Sequence, residues 1–304
     1  MRRFGILLGL ALAAGAPLSA QCNADCQRAE DAVKTFHPLA GLIVSGGNPV
    51  LGSGGTLGGL GHFFVSARLN AVKVAVPSTS SSSDSTTSAV VPAPVVEAGL
   101  GIWNGLGGGL LSVDALASAT LLPTTQVANL SVDSNATKIG SLALGLGYGV
   151  RVGILRGSFF VPSISLSVMR RSLPRLRYGT LGASASTDSA YSFDTDLHAT
   201  NFRLTAGMHL LLLDVAAGVG YDIYTSTAHL SYYNTLVTTA TDTINLNNKR
   251  ELVFLDAGVN LVLVKIVGEI GFQTGKDQGL TTSYQGLDPK SGHVFGGVGV
   301  RISF

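Results

Sequence analysis

The chain has 304 residues, of which 12% are charged and 46% are hydrophobic, and its formal net charge is +2. A water-soluble domain of this size normally has about a quarter of its residues charged, so the composition argues against that class. The near-neutral charge balance also gives no electrostatic reason to expect nucleic acid as a partner.

The first twenty residues have the pattern of a secretory signal peptide. Arg2 and Arg3 precede an apolar run from Phe4 to Ala14, and small residues lead up to a predicted cleavage site after Ala20. Removing the two arginines leaves 20 − 2 = 18 basic residues against 18 acidic ones. The sequence therefore predicts an exported, nearly neutral mature chain.

Two cysteines follow the predicted cleavage site. Cys22 and Cys26 lie four residues apart, and an exported protein matures in an oxidising compartment where a local disulfide between them can form. Two thiols without a paired CxxC motif do not suggest a metal site. We expect no metal, cofactor or catalytic residues from the sequence.

Residues 21–61 are predicted to precede the main domain as a separate segment. Residues 25–42 read as a short helix in which Pro38 ends or kinks the chain. A glycine-rich stretch follows, up to Gly61. Two interpretations stay open: a plug in the mouth of a barrel, or a loose periplasmic tail.

From residue 62 onwards, apolar and polar residues alternate with period two, which predicts β-strands. Ten segments show this pattern: 62–76, 94–104, 110–122, 139–155, 159–178, 190–212, 215–230, 248–263, 266–277 and 292–304. A membrane helix is not a good alternative, because the most apolar stretch, 252–272, contains Asp256, Lys265 and Glu269. Each charge at a helix centre would cost about 2.5–3.5 kcal/mol. The prediction is an all-β, antiparallel transmembrane barrel of about ten strands, with eight or twelve as alternatives.

The connections alternate between short and long, as in outer-membrane barrels with periplasmic turns and extracellular loops. Four tight turns are predicted near 105–109, 156–158, 213–214 and 264–265, and five long loops near 77–93, 123–138, 179–189, 231–247 and 278–291. The turn positions predict three cross-strand pairs: Asn260 with Glu269, Asp256 with Gln273, and Thr205 with Asp222.

One face of the predicted strands is aliphatic, and the other is rich in glycine with isolated charges. This arrangement fits a barrel whose aliphatic face meets lipid and whose other face lines the lumen. Nine inward glycines are predicted to free volume in the lumen: Gly145, Gly147, Gly149, Gly218, Gly220, Gly258, Gly271, Gly297 and Gly299.

Eight polar residues are predicted to line this lumen: Arg68, Arg151, Arg203, Asp222, Asp256, Asn260, Glu269 and Arg301. One interpretation is that they select solutes. The other is that they only pair with one another inside a narrow barrel, since buried charges need partners.

Two groups are predicted near the outer ends of strands. Arg170, Arg171, Arg175 and Arg177 could bind lipopolysaccharide phosphates, or form an ordinary solvated rim, which we favour. Asp194, Asp196 and His198 share a strand face and could ligate a divalent cation, but no fourth ligand is evident.

A hydrolase would need a serine, a histidine and a carboxylate that converge. His209 faces inward by parity, as do Ser163, Ser165 and Ser167, but none of them lies in a nucleophile motif such as G-x-S-x-G. The prediction is that the protein is not an enzyme.

The last segment, Val294 to Phe304, alternates strictly and ends on an aromatic ring. It resembles the C-terminal strand of bacterial outer-membrane β-barrel proteins. The resemblance implies an outer-membrane location, contact with lipid and lipopolysaccharide, and recognition of Phe304 by the barrel-assembly machinery. Asn48-Pro49 in the N-terminal segment is similar, more faintly, to an element of outer-membrane transporters of long-chain fatty acids and other hydrophobic compounds.

The functional prediction is a narrow channel or passive transporter for small or hydrophobic solutes. The alternative is a structural or surface-binding barrel that acts through its extracellular loops. An envelope enzyme that modifies lipid is the least favoured class.

Overall fold

The structure, a computed structural model, describes residues 22–79, 84–123, 129–133, 138–140, 142–158, 160–182, 189–234 and 238–304. The predicted signal peptide, residues 1–20, lies outside the described residues, as do residues 80–83 of the predicted long loop near 77–93.

The described chain contains one α-helix and twelve strands. The helix is α1 (Ala24–Ser45). The strands are β1 (Phe63–Pro77), β2 (Thr86–Trp103), β3 (Val113–Pro123), β4 (Leu130–Val132), β5 (Lys138–Ile139), β6 (Leu142–Leu155), β7 (Ser163–Tyr178), β8 (Tyr191–Leu210), β9 (Leu213–Tyr233), β10 (Thr239–Leu261), β11 (Val264–Gln273) and β12 (His293–Ser303). Within the described ranges, no helix is long and apolar enough to cross a membrane.

Ten of these strands close into one antiparallel barrel. Around the wall, the neighbours follow the order β1, β2, β3, β6, β7, β8, β9, β10, β11 and β12, and β12 pairs again with β1. The short strands β4 and β5 belong to the connection between β3 and β6 and pair with β7 and β6. The predicted ten-stranded antiparallel barrel is confirmed, with β4 and β5 lying outside the closed wall.

Several strands extend further at the end with long loops than the sequence predicted. β2 begins at Thr86 instead of residue 94, and β10 begins at Thr239 instead of residue 248. The added residues of β10 pair with β9 as far as Thr239 opposite Tyr233. In β10 the apolar residues of this extension, Ala240, Ile244 and Leu246, lie on the inner face and pack against the core. The aliphatic residues of the following part of the strand face outward instead, so the apolar parity that marks the strand in the sequence does not continue into the extension.

Two tight turns lie two residues earlier than predicted. They are Leu211-Leu212 and Val262-Leu263, and Leu211 and Val262 adopt positive φ values of 56° and 62°. A turn displaced by two residues moves the cross-strand register by four, so the three predicted pairs are wrong. The observed pairs are Asn260 with Lys265, Asp256 with Glu269, Leu252 with Gln273, Thr205 with Gly218, and Asn201 with Asp222.

A shift of four preserves the parity of a strand, so the assignment of side chains to the two faces does not change. On β10, for example, Val253 and Leu255 are exposed outward while Asp256 is buried on the inner face. The two ends of the barrel differ in their connections. The turn end carries the connections β8–β9 and β10–β11, and the loop end carries the long connections.

The interior of the barrel is occupied by α1. Its N-cap, Asn23, accepts a hydrogen bond from the Cys26 amide (2.9 Å) and donates one to the Tyr233 carbonyl (2.7 Å) at the loop end. From there the helix runs into the barrel, and its apolar side chains join inward side chains of nearly every wall strand in one core. The helix thus enters the lumen from the loop end.

Two local predictions about this segment have clear outcomes. Pro38 does not end the helix, which continues to Ser45 and is followed by Gly46 in a positive-φ conformation (56°). Cys22 and Cys26 form a disulfide at the start of the helix, so neither thiol is free to bind a metal.

Candidate functional site

The predicted lumen residues lie on the inner face of the wall, at the level where α1 ends. Arg68, Arg151, Arg203, Asp222, Asp256, Glu269 and Arg301 are all buried. Asn260 lies further toward the turn end and is only partly buried. The chain that follows α1, residues 46–57, passes through this group of charges and is called the lumen loop below.

Two carboxylates bind the amide groups of the lumen loop. Glu269 accepts hydrogen bonds from the amides of Gly47 (3.2 Å) and Asn48 (2.7 Å). Asp256, its direct cross-strand neighbour, accepts from the Asn48 side-chain amide (2.6 Å) and from the Gly52 amide (3.0 Å). These four hydrogen bonds fix the path of the loop.

Arg203 binds the carbonyl groups of the same loop. Its guanidinium donates to the carbonyls of Gly46 (2.9 Å) and Gly47 (2.9 Å), and it forms an ion pair with Asp222 at 2.6 Å. Asp222 also accepts from Asn201 (2.8 Å). The buried charge of Arg203 is therefore compensated by a carboxylate and two carbonyls, as stability requires.

A second ion-pair group connects four wall strands. Arg68 pairs with Glu97 (3.0 Å) and Glu269 (3.4 Å), and it donates to the Asn48 carbonyl (3.0 Å). Arg171 also reaches Glu97, at 3.3 Å. The sequence prediction placed Arg171 on an outer rim, and that prediction is wrong, because the side chain is buried in the lumen.

Arg170 faces outward by ordinary alternation with Arg171, whereas Arg175 and Arg177 face outward for a further structural reason. The register of β7 against β8 shifts between Leu173 and Leu176, and this irregularity reverses the parity of the strand. Arg175 and Arg177 therefore point away from the lumen, and Arg177 pairs with Asp194 at 2.7 Å. A phase shift of this kind cannot be seen in the alternation of a strand whose end is rich in arginine.

Two further lumen residues were not identified from the sequence. Asp114 forms a buried ion pair with Arg151 (2.8 Å) and accepts from the Leu57 amide (3.1 Å). Glu97 joins Arg68 to Arg171 as described above. Both lie at inward positions of their strands, so the parity that identified the other lumen residues would also have identified these two.

The inward glycines do not leave an open passage, contrary to the sequence prediction. A Cβ at Gly220 would lie 2.7 Å from the Arg203 guanidinium, and one at Gly299 would lie 2.6 Å from the Arg68 side chain. At Gly218 and Gly271 the clash would be with Phe254 and Phe295. These glycines accommodate large side chains of neighbouring strands, so their volume is already occupied.

A cavity of about 500 Å³ lies at the turn end, beneath the lumen loop. Asp214 stands at its edge, where His209 Nδ1 is 2.6 Å and the Asn260 amide is 2.7 Å from the carboxylate. Lys265 forms an ion pair with Asp214 and donates to the Gly52 carbonyl (3.3 Å). This polar group joins the last part of the lumen loop to the wall.

The candidate serines differ from one another in what the structure shows of them. Ser163 donates to the Gly207 carbonyl (3.0 Å), and Ser165 and Ser167 lie opposite Thr205 and Arg203 in the β7–β8 register. The partner that the structure brings to His209 is a carboxylate, Asp214.

At the loop end, residues 274–292 fold over the mouth of the barrel onto α1. The buried carboxylate of Asp31 accepts from the Thr281 amide (2.9 Å), the Thr282 amide (3.0 Å) and the Tyr284 hydroxyl (3.3 Å). Burial and the neighbouring Asp31 raise the pKa of Tyr284 to about 12. A cavity of about 350 Å³ lies beside this cover, between α1 and the β1 end of the wall.

The predicted cation group on β8 faces outward and is divided among other partners. Asp194 pairs with Arg177, and the Asp196 carboxylate accepts from the Thr227 amide (3.1 Å) and lies 3.8 Å from His198. The three side chains therefore do not converge on one point.

Phe304 completes the β12–β1 seam at the turn end. Its amide and carbonyl bond to the main chain of Phe63 at 2.9 and 3.0 Å, and the two rings stack with centroids 4.9 Å apart. The ring is more than half exposed, at 57%. Its recognition by assembly machinery stays a prediction.

No protein family matches the chain, and no curated protein sequence matches it. Among solved structures, it is similar to the outer-membrane protease OmpT from Escherichia coli, with 9% identity, a TM-score of 0.42, and coverage of 80% of this chain and 97% of that one. It is also similar to the translocator domain of the autotransporter NalP from Neisseria meningitidis (12% identity, TM-score 0.41, 81% and 89% coverage). A third similar structure is the toluene transporter TodX from Pseudomonas putida (11% identity, TM-score 0.32, 86% and 93% coverage).

Proposed function

We propose that this chain spans the bacterial outer membrane as a narrow channel for small solutes and that its N-terminal segment closes the channel. The location is supported by the outer face of the wall, where large apolar side chains are exposed on strand after strand. Examples are Leu146, Val219, Leu255, Ile270 and Val298. A closed barrel satisfies its main-chain hydrogen bonds between strands, so it can present such a surface to lipid.

One observation carries the channel proposal: the wall encloses a space large enough for an α-helix. An α-helix with its side chains is about 10–12 Å across. In this barrel the space is filled by α1 and the lumen loop, which belong to no wall strand, and not by wall side chains alone. Displacing this one covalent segment would therefore open a passage without breaking the wall.

The contacts of the lumen loop favour a segment that can be released. Its middle part is held by hydrogen bonds and ion pairs to wall residues such as Arg203, Asp256 and Glu269, and water can replace such contacts when the loop leaves. The cavities at the turn end and the loop end lie on the two sides of this closure. The charged lumen suits small polar solutes. The cavity beside α1 has apolar lining residues such as Leu39, Leu287 and Val294 among its polar ones, which keeps small hydrophobic solutes in the proposal.

The test is conductance of the purified protein in planar lipid bilayers. Wild type is expected to conduct rarely, and the double variant Asp256→Asn, Glu269→Gln is expected to conduct much more often, because its carboxamides bind the loop amides more weakly. A change in electrophoretic mobility on heating would confirm that the variant barrel is folded. A folded double variant that is as silent as wild type would overturn the channel.

That outcome would favour the second candidate, a surface-binding barrel. Its structural support is the β10 edge at the loop end, where residues 239–251 pair with β9 and lie beyond the end of β11. The exposed Arg170, Arg175 and Arg177 add a basic outer surface that we propose contacts lipopolysaccharide. Adhesion assays with the 234–238 connection shortened would test this role independently of conductance.

A further inference from the structure

The lumen loop is bound mainly through its main chain. Cationic side chains donate to its carbonyl groups: Arg203 to Gly46 and Gly47, Arg68 to Asn48, Arg301 to Leu51 and Lys265 to Gly52. Carboxylates accept from its amides: Glu269 from Gly47 and Asn48, and Asp256 from Gly52. The wall thus presents alternating donors and acceptors to a peptide backbone.

Side-chain recognition is confined to a few positions. The Asn48 side chain is bound by Asp256, and Val50 and Leu51 are buried. At three positions the wall leaves no room for a side chain. A Cβ at Gly47 would lie 2.5 Å from the Glu269 carboxylate, and one at Gly52, where φ is +68°, would lie 2.7 Å from Val267. A Cβ at Gly54 would clash with the backbone nitrogen of Gly207.

We propose that this ring of charges is a peptide-binding site that accepts a glycine-containing peptide in trans, and that the chain's own lumen loop occupies it in the closed state. The proposal rests on the channel function, since a second peptide can enter only when the loop leaves. The site binds groups that every peptide has, so the covalent connection to α1 is not part of what is recognised.

The energetics of the empty site favour a replacement ligand. When the loop leaves, water takes the place of its main-chain groups around Glu269, Asp256 and Arg203. The main chain of a second peptide can displace that water and form the same hydrogen bonds again. The wall strands hold these side chains in position in advance, which lowers the cost of binding. In wild type the tethered loop competes at an effective concentration in the millimolar range. A free peptide should therefore bind well only to a variant with a displaced loop.

The experiment uses the full-length chain with Gly47→Leu and a fluorescent synthetic peptide with the sequence of residues 45–56. Binding is followed by fluorescence anisotropy in detergent. The peptide should bind the variant at least tenfold more tightly than it binds wild type. A peptide with leucine at the position of Gly47 should bind at least tenfold more weakly. Gly52→Leu serves as a second variant should the first fail to fold.

Wall substitutions identify where the peptide binds. Adding Glu269→Ala to the loop variant should weaken binding at least tenfold, whereas Gly268→Ala, at the neighbouring outward position, should leave it unchanged. Bound peptide should also reduce the conductance of the loop variant.

These experiments distinguish a failure of the peptide site from a failure of the channel. A loop variant that conducts but binds neither peptide, or binds both equally, would overturn the peptide site and leave the channel in place. A loop variant that binds the native peptide but never conducts would support the site and overturn the channel.

Discussion

Replacing Gly47 by alanine should release the lumen loop with little change in the wall. The new Cβ would lie 2.5–2.7 Å from the carboxylate atoms of Glu269. That carboxylate cannot move away freely, because it binds two loop amides and Arg68. The loop must shift instead, and it then loses its two hydrogen bonds to Glu269.

The magnitude follows from the charge of the acceptor. A hydrogen bond to a charged group contributes about 1.5–3 kcal/mol, so the loss of two weakens loop binding by about 3–6 kcal/mol. Since every 1.4 kcal/mol is a factor of ten, the ratio of open to closed channels should rise by at least about a hundredfold.

Single-channel recording in planar bilayers measures this ratio directly. The matched control is Gly268→Ala, in the residue next to Glu269, because a Cβ at Gly268 points outward and meets no atom within 4 Å. The control should behave as wild type. The reasoning is wrong if Gly47→Ala opens no more often than Gly268→Ala while both barrels are folded.

Four further predictions concern other parts of the molecule. Val253→Arg, in the outer apolar face, should destabilise the barrel in lipid by about 2–4 kcal/mol if it lies near the bilayer midplane. Thr243→Arg, in the part of the same strand beyond the end of β11, should have little effect. Urea unfolding in vesicles measures the stability of both variants. Asp31→Ala removes the acceptor that holds residues 274–292 on α1, so trypsin should cleave that loop at least tenfold faster, and an unchanged rate would contradict the proposed anchoring. The pKa of Tyr284, about 12, lies above the value of about 10 for free tyrosine. Its contribution to the closed cover is thus complete below pH 10 and is lost as the pH rises through 12. Tyr284→Phe should abolish this dependence, measured with a protease that is active at alkaline pH and does not require a charged lysine. Finally, an epitope inserted before Cys22 should be accessible to antibody on intact cells, whereas one in the Leu211-Leu212 turn should be masked. The reverse result would mean that the turn end, and not the loop end, faces the outside of the cell.

Much of the fold followed from alternation along the chain. The ten strands, their assignment to inner and outer faces, and the inward position of charges such as Arg203 and Asp256 depend only on parity. Parity is a local property with a period of two residues, and it survived the error in turn position because a shift of four residues maintains it. The strand ends that begin at Thr86 and Thr239 were missed because the apolar parity of the neighbouring strand segments does not continue into them.

The partners of the lumen residues required the tertiary structure. Register decides that Asp256 lies beside Glu269, and register depends on which two residues form the turn. The irregularity in β7 that separates Arg171 from Arg175 is also set by pairing with β8. No local pattern shows that residues 46–57 lie among these charges.

By itself, the sequence determined a closed antiparallel barrel with an apolar exterior and a glycine-rich, charged interior. The reason is that successive residues of a strand face lipid and lumen in turn, and their chemistry alternates accordingly. Only the tertiary structure decided that the interior is closed by α1 and the lumen loop and that the inward glycines hold neighbouring side chains. The physical reason is distance along the chain: Gly47 and Glu269 are bound to each other but 222 residues apart. Contacts between residues so far apart produce no periodic pattern in the sequence.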